Sequence, residues 1–416
     1  MKREKIRSFV FTSFSQLINQ IILVGCGFLI LRQLSVSEYA LYTIVTSLLG
    51  MLTVISDGGV NTGLVASGGR VWKDFDKLGS ALAAARKLRN RMYCVALVIA
   101  LPASMWFLHS IEITLISAIF LSALICANFF VLSIGNFYQV VPKLHQDLIA
   151  MQRVNITASF SRLILTLALT LVKPTAVACV VCAVICQTWA SSRMRALTDK
   201  RANKYSKSDP ATELEMGRLL ARILPGALFY AFSGQISIFL AVTFGSTEMV
   251  AQLGALSRLG AIVAFFSSIF TFLIVPRFAR YDAGSGLLLK KYIISISLVM
   301  CFCLFLAFFA YKYPKAFLWL LGEKYFALDT ELFLSVANAC FALISTSAYQ
   351  LNSSRGGVLS PIVTIPVLLM SQIVAFLLIG ANSLSSILLC TLFASFMGCL
   401  MEVSSGLVKW RTCKSA

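Results

Sequence analysis

Apolar runs recur along the whole chain, at about residues 9–31, 39–66, 92–109, 112–138, 155–172, 174–192, 219–243, 249–275, 292–311, 331–351, 361–381 and 384–408. About 20 apolar residues, each rising ~1.5 Å in a helix, cover the hydrocarbon core of a bilayer. Lipid offers no hydrogen bonds, so runs of this kind must satisfy their own backbone, and a helix does that. The expected fold is therefore an all-α polytopic membrane protein with about twelve transmembrane helices. Composition agrees: the chain is 58% hydrophobic and only 13% charged, with mean hydropathy +0.85, whereas soluble domains are about a quarter charged. The opening MKREKIR resembles the charged front of a signal peptide. The apolar run from Phe9 to Leu31 is too long for one, and no small-residue cleavage site closes it, so none is expected.

Lys and Arg outnumber Asp and Glu 36 to 17. Such an excess can mark a nucleic-acid binder, but its distribution here fits topology better. Counted by connection, 29 basic residues fall on one side of the twelve spans and 5 on the other. The positive-inside rule then puts both termini in the cytosol. Outer connections are short, the longest running from about Lys312 to Asp329. No extramembrane domain is left to hold a soluble active site. The charged segment RMRALTDKRANKYSKSDPATELEMGR, with Asp209–Pro210 inside it, is the strongest break in composition. It is expected to be a cytosolic linker, 193–217, between six-helix bundles at 1–192 and 218–416. Residues 74–91 place Leu78, Leu82, Ala85 and Leu88 on one helical face, as in a basic helix lying on anionic headgroups or docking a partner.

The stretch 33–75 carries Asp57, Gly58, Gly59 and Asn61 at membrane depth, where lipid cannot solvate them. A partial echo follows at 243–277: at an offset of 210, Ser37–Glu38 meets Thr247–Glu248, and Leu49–Gly50 meets Leu259–Gly260. Two related halves around a shared central cavity would account for the pair. Arg258 and Arg162 lie deep within their spans. An arginine at a helix centre costs about 2.5–3.5 kcal/mol on insertion scales, so each should face a cavity or an ion-pair partner such as Asp57 or Glu402. Asp57 reads either as a proton, cation or gating group, or as a cap for the SDGGVN turn. Glu402, close to the inner interface, should reach headgroups or Lys409. On the first span Gln16, Asn19 and Gln20, near Ser13 and Ser15, make one face polar. Sugar recognition and interhelical hydrogen bonding both use such groups, and Gln252, Gln235, Asn338 and Gln350 invite the same two readings. Cys179, Cys182 and Cys186 share a helical face, but no histidine or second CxxC accompanies them, so no metal site is expected. His109 and His145 are too far apart to suggest a pair. No P-loop, nucleotide fingerprint or HExxH motif occurs, and no cofactor or catalytic group is expected.

SVSEYALYTIVTSLLGMLTVISDGGVNTGLV resembles the second-helix region of the polysaccharide-transporter branch of the multidrug/oligosaccharidyl-lipid/polysaccharide exporter superfamily. LIAMQRVNITASFSRLILTL, 148–167, resembles the start of that branch's fifth helix. STEMVAQLGALSRLGAIVAFFSSIFTFLIVPRFAR, 246–280, resembles its eighth, with the Pro276 ending. With the twelve-span pattern, the resemblance covers most of the chain. It implies a non-enzymatic flippase that moves undecaprenyl-diphosphate-linked oligosaccharide, such as an O-antigen unit, across the bacterial inner membrane by alternating access. The implied partners are that substrate, membrane lipid, a coupling H+ or Na+ and polysaccharide polymerases. Arg258, Arg162, Gln16, Asn19, Gln20 and Gln252 would line the substrate path, and Asp57 would gate or couple it. A cation-coupled small-molecule exporter of the same superfamily is the first alternative. A membrane-embedded polysaccharide polymerase or ligase is the second, and it would want a large outer loop.

Overall fold

A computed structural model describes residues 2–109, 115–279, 285–355, 357 and 359–412. Of the residues singled out above, the side chains of Ser13, His109 and Pro276 lie outside this description. Among the described residues all regular structure is helical, and 11 helices are long and apolar enough to cross a membrane. Pro210–Ser233 and Ile236–Phe244 pass the same test together, bent by 45° at Gly234–Gln235, and make a twelfth if the bent pair is one span. Outward faces are apolar as lipid requires: Ile116 is 82% exposed, Val172 85% and Ile362 84%.

The chain divides into two compact units, Met1–Gln235 and Ile236–Ala416. The first holds α1 (Lys2–Gln33), α2 (Val36–Asp57), α3 (Val60–Val71), α4 (Phe75–His109), α5 (Leu115–Tyr138), α6 (Val140–Leu144), α7 (Leu148–Val172), α8 (Ala176–Asp199) and α9 (Pro210–Ser233). Helix starts are written in the sequence. Ser35 accepts from the Glu38 N–H at 3.3 Å, and Thr175 from the Ala178 N–H at 3.3 Å. The Glu38 carboxylate also accepts from the Ala176 N–H at 2.6 Å, which ties the start of α2 to the positive end of α8. Asp209 caps α9, with Pro210 at the first helical position. Hydrogen bonds from the Thr212 hydroxyl and backbone hold its carboxyl below the usual range.

Two expectations change here. Residues 74–91 do not lie on headgroups. They form the first half of α4, continuous with the span that follows. Leu78, Leu82, Ala85 and Leu88 are buried against Val60, Leu64, Phe137, Val141 and Met194. Protein, not lipid, takes up that apolar face, at about 25 cal/mol per Å² of buried surface. Helix α9, assigned to the second bundle from the sequence, packs with α2, α3 and α4 of the first unit. Along the chain the first unit runs through the charged 193–217 segment to Gln235. That segment is itself anchored: the Asn203 N–H donates to the Phe75 carbonyl at 3.1 Å, and the Asn203 amide to Asp76 at 2.7 Å.

The second unit holds α10 (Ile236–Phe244), α11 (Thr247–Ser257), α12 (Gly260–Leu273), α13 (Val275–Ala279), α14 (Ser285–Lys312), α15 (Pro314–Leu321), α16 (Asp329–Ser353), α17 (Pro361–Ile379) and α18 (Leu384–Thr412). Its core is the packing of α16 on α18, flanked by α14 and α17. A polar knot joins them. Trp410 Nε1 donates to Asn352 Oδ1 at 3.1 Å, and Asn352 Nδ2 donates to the Glu402 carbonyl at 3.1 Å. Glu402 therefore does not reach the headgroups. It is 6% exposed, because α14, α16 and α18 close over it at the level of Gly406.

Candidate functional site

The first unit contains a cavity of about 390 Å³, built on a break in one helix. Helix α2 stops at Asp57 because Gly58 and Gly59 turn left-handed, with φ of 45° and 104°. Side chains with a Cβ rarely adopt that conformation. Contact adds a second constraint, since a Cβ on Gly59 would lie 3.1 Å from Ile223 of α9. The chain resumes as α3 at Val60. Across the break the Asp57 carboxylate accepts from the Asn61 N–H at 3.0 Å. Asp57 thus serves as the cap of α3, where the positive helix end favours an anion. Among the described residues it forms no ion pair within 4.0 Å.

Polar side chains from three further helices and the junction between two of them face the same space: Arg89 of α4, Ser133 and Asn136 of α5, Gln139 just after α5, and Lys143 of α6. Ile223 and Ala227 of α9 supply an apolar edge. Arg89 stacks on Phe137, 4.8 Å from the ring centroid. Its Nη2 donates to Asn90 Oδ1 at 2.8 Å, while Nη1 is buried without a hydrogen bond. The wall offers one carboxylate, two cations, three amides and four hydroxyls. Such a set can bind an oxygen-rich anion or an ordered polar group, and nothing in it forms a nucleophile–base pair.

The residues expected from the sequence fall into separate groups. Asp57 lines this cavity. Gln16 is exposed on α1, with Asn19 and Gln20 half-buried beside it. The Asn19 side-chain oxygen is buried without a hydrogen bond. Arg162 is half-buried on α7 and donates to the Tyr42 hydroxyl of α2 at 3.2 Å. It stands level with Tyr42, 15 residues before Asp57 on α2 and so ~22 Å along the helix. In the second unit Gln252 donates to Glu248 at 3.1 Å, one turn earlier on α11. Arg258 is half-buried and sits where α11 gives way to α12. There the backbone tightens to i→i+3 bonds, from the Arg258 N–H to Ala255 and the Leu259 N–H to Leu256. Gln350 accepts from the Thr271 hydroxyl at 2.7 Å, and the Asn338 oxygen is buried without a hydrogen bond. Cys179, Cys182 and Cys186 are buried along α8.

Sequence reading missed Arg89, Asn136, Gln139 and Lys143. Asn136 and Gln139 sit at and just beyond the end of α5, where the run N-F-Y-Q interrupts apolar sequence, and Lys143 follows on α6. That interruption was the available signal. Arg89 was hidden among the basic residues of 74–91, which topology alone explained.

The architecture matches solved membrane transporters. An inward-facing multidrug resistance MATE family transporter of the MOP superfamily aligns with TM-score 0.69 and 14% identity, over 96% of this chain and 94% of that one. Lipid II flippase MurJ in an inward closed conformation aligns with TM-score 0.71 and 11% identity, over 97% and 90%. The eukaryotic MATE transporter AtDTX14 aligns with TM-score 0.60 and 9% identity, over 98% of each chain. No family model matches the sequence, and no curated protein is similar to it above chance. At these identities what is shared is the fold.

Proposed function

We propose that this chain is a transporter that works by alternating access and carries undecaprenyl-diphosphate-linked oligosaccharide across the bacterial inner membrane. The observation that carries the reading is the pair of half-buried arginines at membrane depth, in a fold shared with a lipid flippase. Arg162 lies 14 residues from the start of α7 and 10 from its end, or ~21 and ~15 Å from the two ends. Arg258 lies 11 residues beyond the start of α11, ~16 Å along the helix. A guanidinium at such depth suits a diphosphate, which accepts paired, charge-assisted hydrogen bonds. In this reading Gln16, Asn19, Gln20 and Gln252 meet the sugars, and Asp57 couples or gates. The same fold in MATE transporters supports a second reading, cation-coupled export of a small molecule. Arginines in the path disfavour a cationic cargo. A polymerase or ligase would make new linkages, and assaying whether the purified protein changes the linkage or only the location of a lipid-linked glycan separates it from a transporter.

Deletion of the gene is expected to leave lipid-linked repeat units on the cytosolic leaflet and to strip the corresponding glycan from the cell surface. Normal surface glycan in a deletion strain without a redundant transporter would overturn the flippase reading. The topology carries its own prediction. Reporter fusions at Lys204, in the turn between α8 and α9, and at Lys414 should both report cytosol. A periplasmic signal from either refutes the assignment drawn from the 29-to-5 basic asymmetry.

A further inference from the structure

We propose that the first unit carries a phosphate-binding site of its own in the cavity behind the α2–α3 break, with Arg89 and Lys143 as the groups that hold the phosphate. The inference does not depend on what the protein transports.

It begins with how the charges in this region are distributed. The acids have already been taken by other basic residues. Glu213 pairs with Lys87 at 2.9 Å and Arg91 at 3.2 Å, Glu215 with Arg70 at 3.0 Å, Asp147 with Arg201 at 2.8 Å, and Asp199 with Arg195 at 4.0 Å. No acid pairs with Arg86 or Arg89 among the described residues. These two stand one turn apart on α4 and lie over consecutive rings of α5, Arg86 over Tyr138 at 5.9 Å and Arg89 over Phe137 at 4.8 Å. Arg195 approaches Tyr138 from α8 at 5.8 Å. Three guanidiniums thus surround two rings. Arg86 Nε and Arg89 Nη1 are both buried without a hydrogen bond. Leaving a charged donor buried and unsatisfied costs more than losing an ordinary hydrogen bond. Like charges packed this closely also repel, and a bound anion relieves both penalties.

The cavity supplies the place for it. Arg89 opens onto it and Lys143 stands on its wall, with the amides of Asn136 and Gln139 beside them. Asp57 is the one acid in the lining, and its carboxylate is engaged with the α3 N-terminus through the Asn61 N–H. A helix end offsets part of that charge. The remaining lining has two cations and amide donors, a donor set matched to a phosphate group. About 390 Å³ accommodates a phosphate or diphosphate with water.

The phosphate can come from a soluble diphosphate or from an anionic lipid headgroup, and the test separates them. Full-length protein in detergent is titrated calorimetrically with inorganic diphosphate. The same protein in mixed-lipid nanodiscs is examined by native mass spectrometry for retention of phosphatidylglycerol over phosphatidylethanolamine. Binding of diphosphate alone identifies a soluble ligand, and selective retention of phosphatidylglycerol alone identifies a headgroup; either supports the site when the Arg89 and Lys143 variants weaken it. Arg89→Gln should weaken whichever binding is seen by roughly tenfold. Arg89→Lys should recover part of it, since charge returns without the fork. Lys143→Gln, at an exposed position that folding tolerates, should weaken it by about threefold. Lys312→Gln in the second unit should change nothing. Absence of both diphosphate binding and lipid selectivity in the wild type overturns the proposal. So does wild-type binding by folded Arg89→Gln and Lys143→Gln variants.

Discussion

Gly406→Ala is expected to destabilise the second unit enough to deplete folded protein in the membrane. Helix propensity points the other way: alanine is better than glycine inside a helix by about 1 kcal/mol. Packing decides the sign. A Cβ on Gly406 would overlap the hydroxyl and ring of Tyr292 and lie 2.8 Å from Asn352 Oδ1. Neither neighbour has room to retreat. Tyr292 and Asn352 are 0% exposed, and Asn352 is held by Trp410 and by the Glu402 carbonyl. Overpacking of a closed core costs about 1–3 kcal/mol, and disturbing the Asn352 bonds adds about 1 kcal/mol. The net effect should be a loss of roughly 1–3 kcal/mol. Small residues at helix contacts let membrane helices approach this closely. Fluorescence-detected gel filtration of a tagged variant, with a thermal ramp, reads the outcome. Tyr292→Phe added to Gly406→Ala should recover part of the loss by removing the clashing oxygen. Wild-type yield and melting temperature for Gly406→Ala would show that α14 and α18 are not in close contact.

Much of the fold was legible because lipid enforces it. The twelve apolar runs foretold the spans, and the serine, threonine and Asp–Pro caps marked where several begin. Glycines 58 and 59 were visible as a loosened point inside a long run, and the structure makes that point a full break between α2 and α3. What escaped the sequence concerns which surfaces meet. Leu78, Leu82, Ala85 and Leu88 make an amphipathic stripe that suits lipid headgroups or a protein core equally well. Only tertiary packing chooses between the two, and here it chooses the core. Glu402 looked like an interfacial residue by its distance from the C-terminal charges. Burial instead follows from the glycine four residues later, which brings α14 onto α18. The cavity was least legible, because its wall is assembled from six helices spread between residues 53 and 227. Of that wall, only the turn from Asp57 to Asn61 carried a local signal strong enough to be singled out.

Arg258→Ala is expected to abolish surface glycan while leaving the protein at its normal level. The residue lies ~16 Å along from the start of α11, close to the middle of a ~30 Å hydrocarbon core. Its side chain is too short to snorkel to water from that depth. It stands at the tightened turn between α11 and α12, half-buried. In the proposed mechanism its guanidinium grips the substrate diphosphate while that group crosses the membrane. Arg258→Lys keeps the charge but not the bidentate fork, so it should restore part of the export. A structural ion-pair role makes a different pattern: alanine would leave a buried acid unpaired, at a cost of about 3–5 kcal/mol, and the amount of folded protein would drop with the glycan. Wild-type glycan from a well-expressed Arg258→Ala variant refutes the substrate role. A second measurement needs no glycan. In a background without the 12 native cysteines, Arg258→Cys should react with a small water-soluble thiol reagent, because a substrate path must admit water. Loss of that labelling on addition of the lipid-linked oligosaccharide would place the substrate at this position, and labelling that the substrate leaves unchanged would move the diphosphate elsewhere.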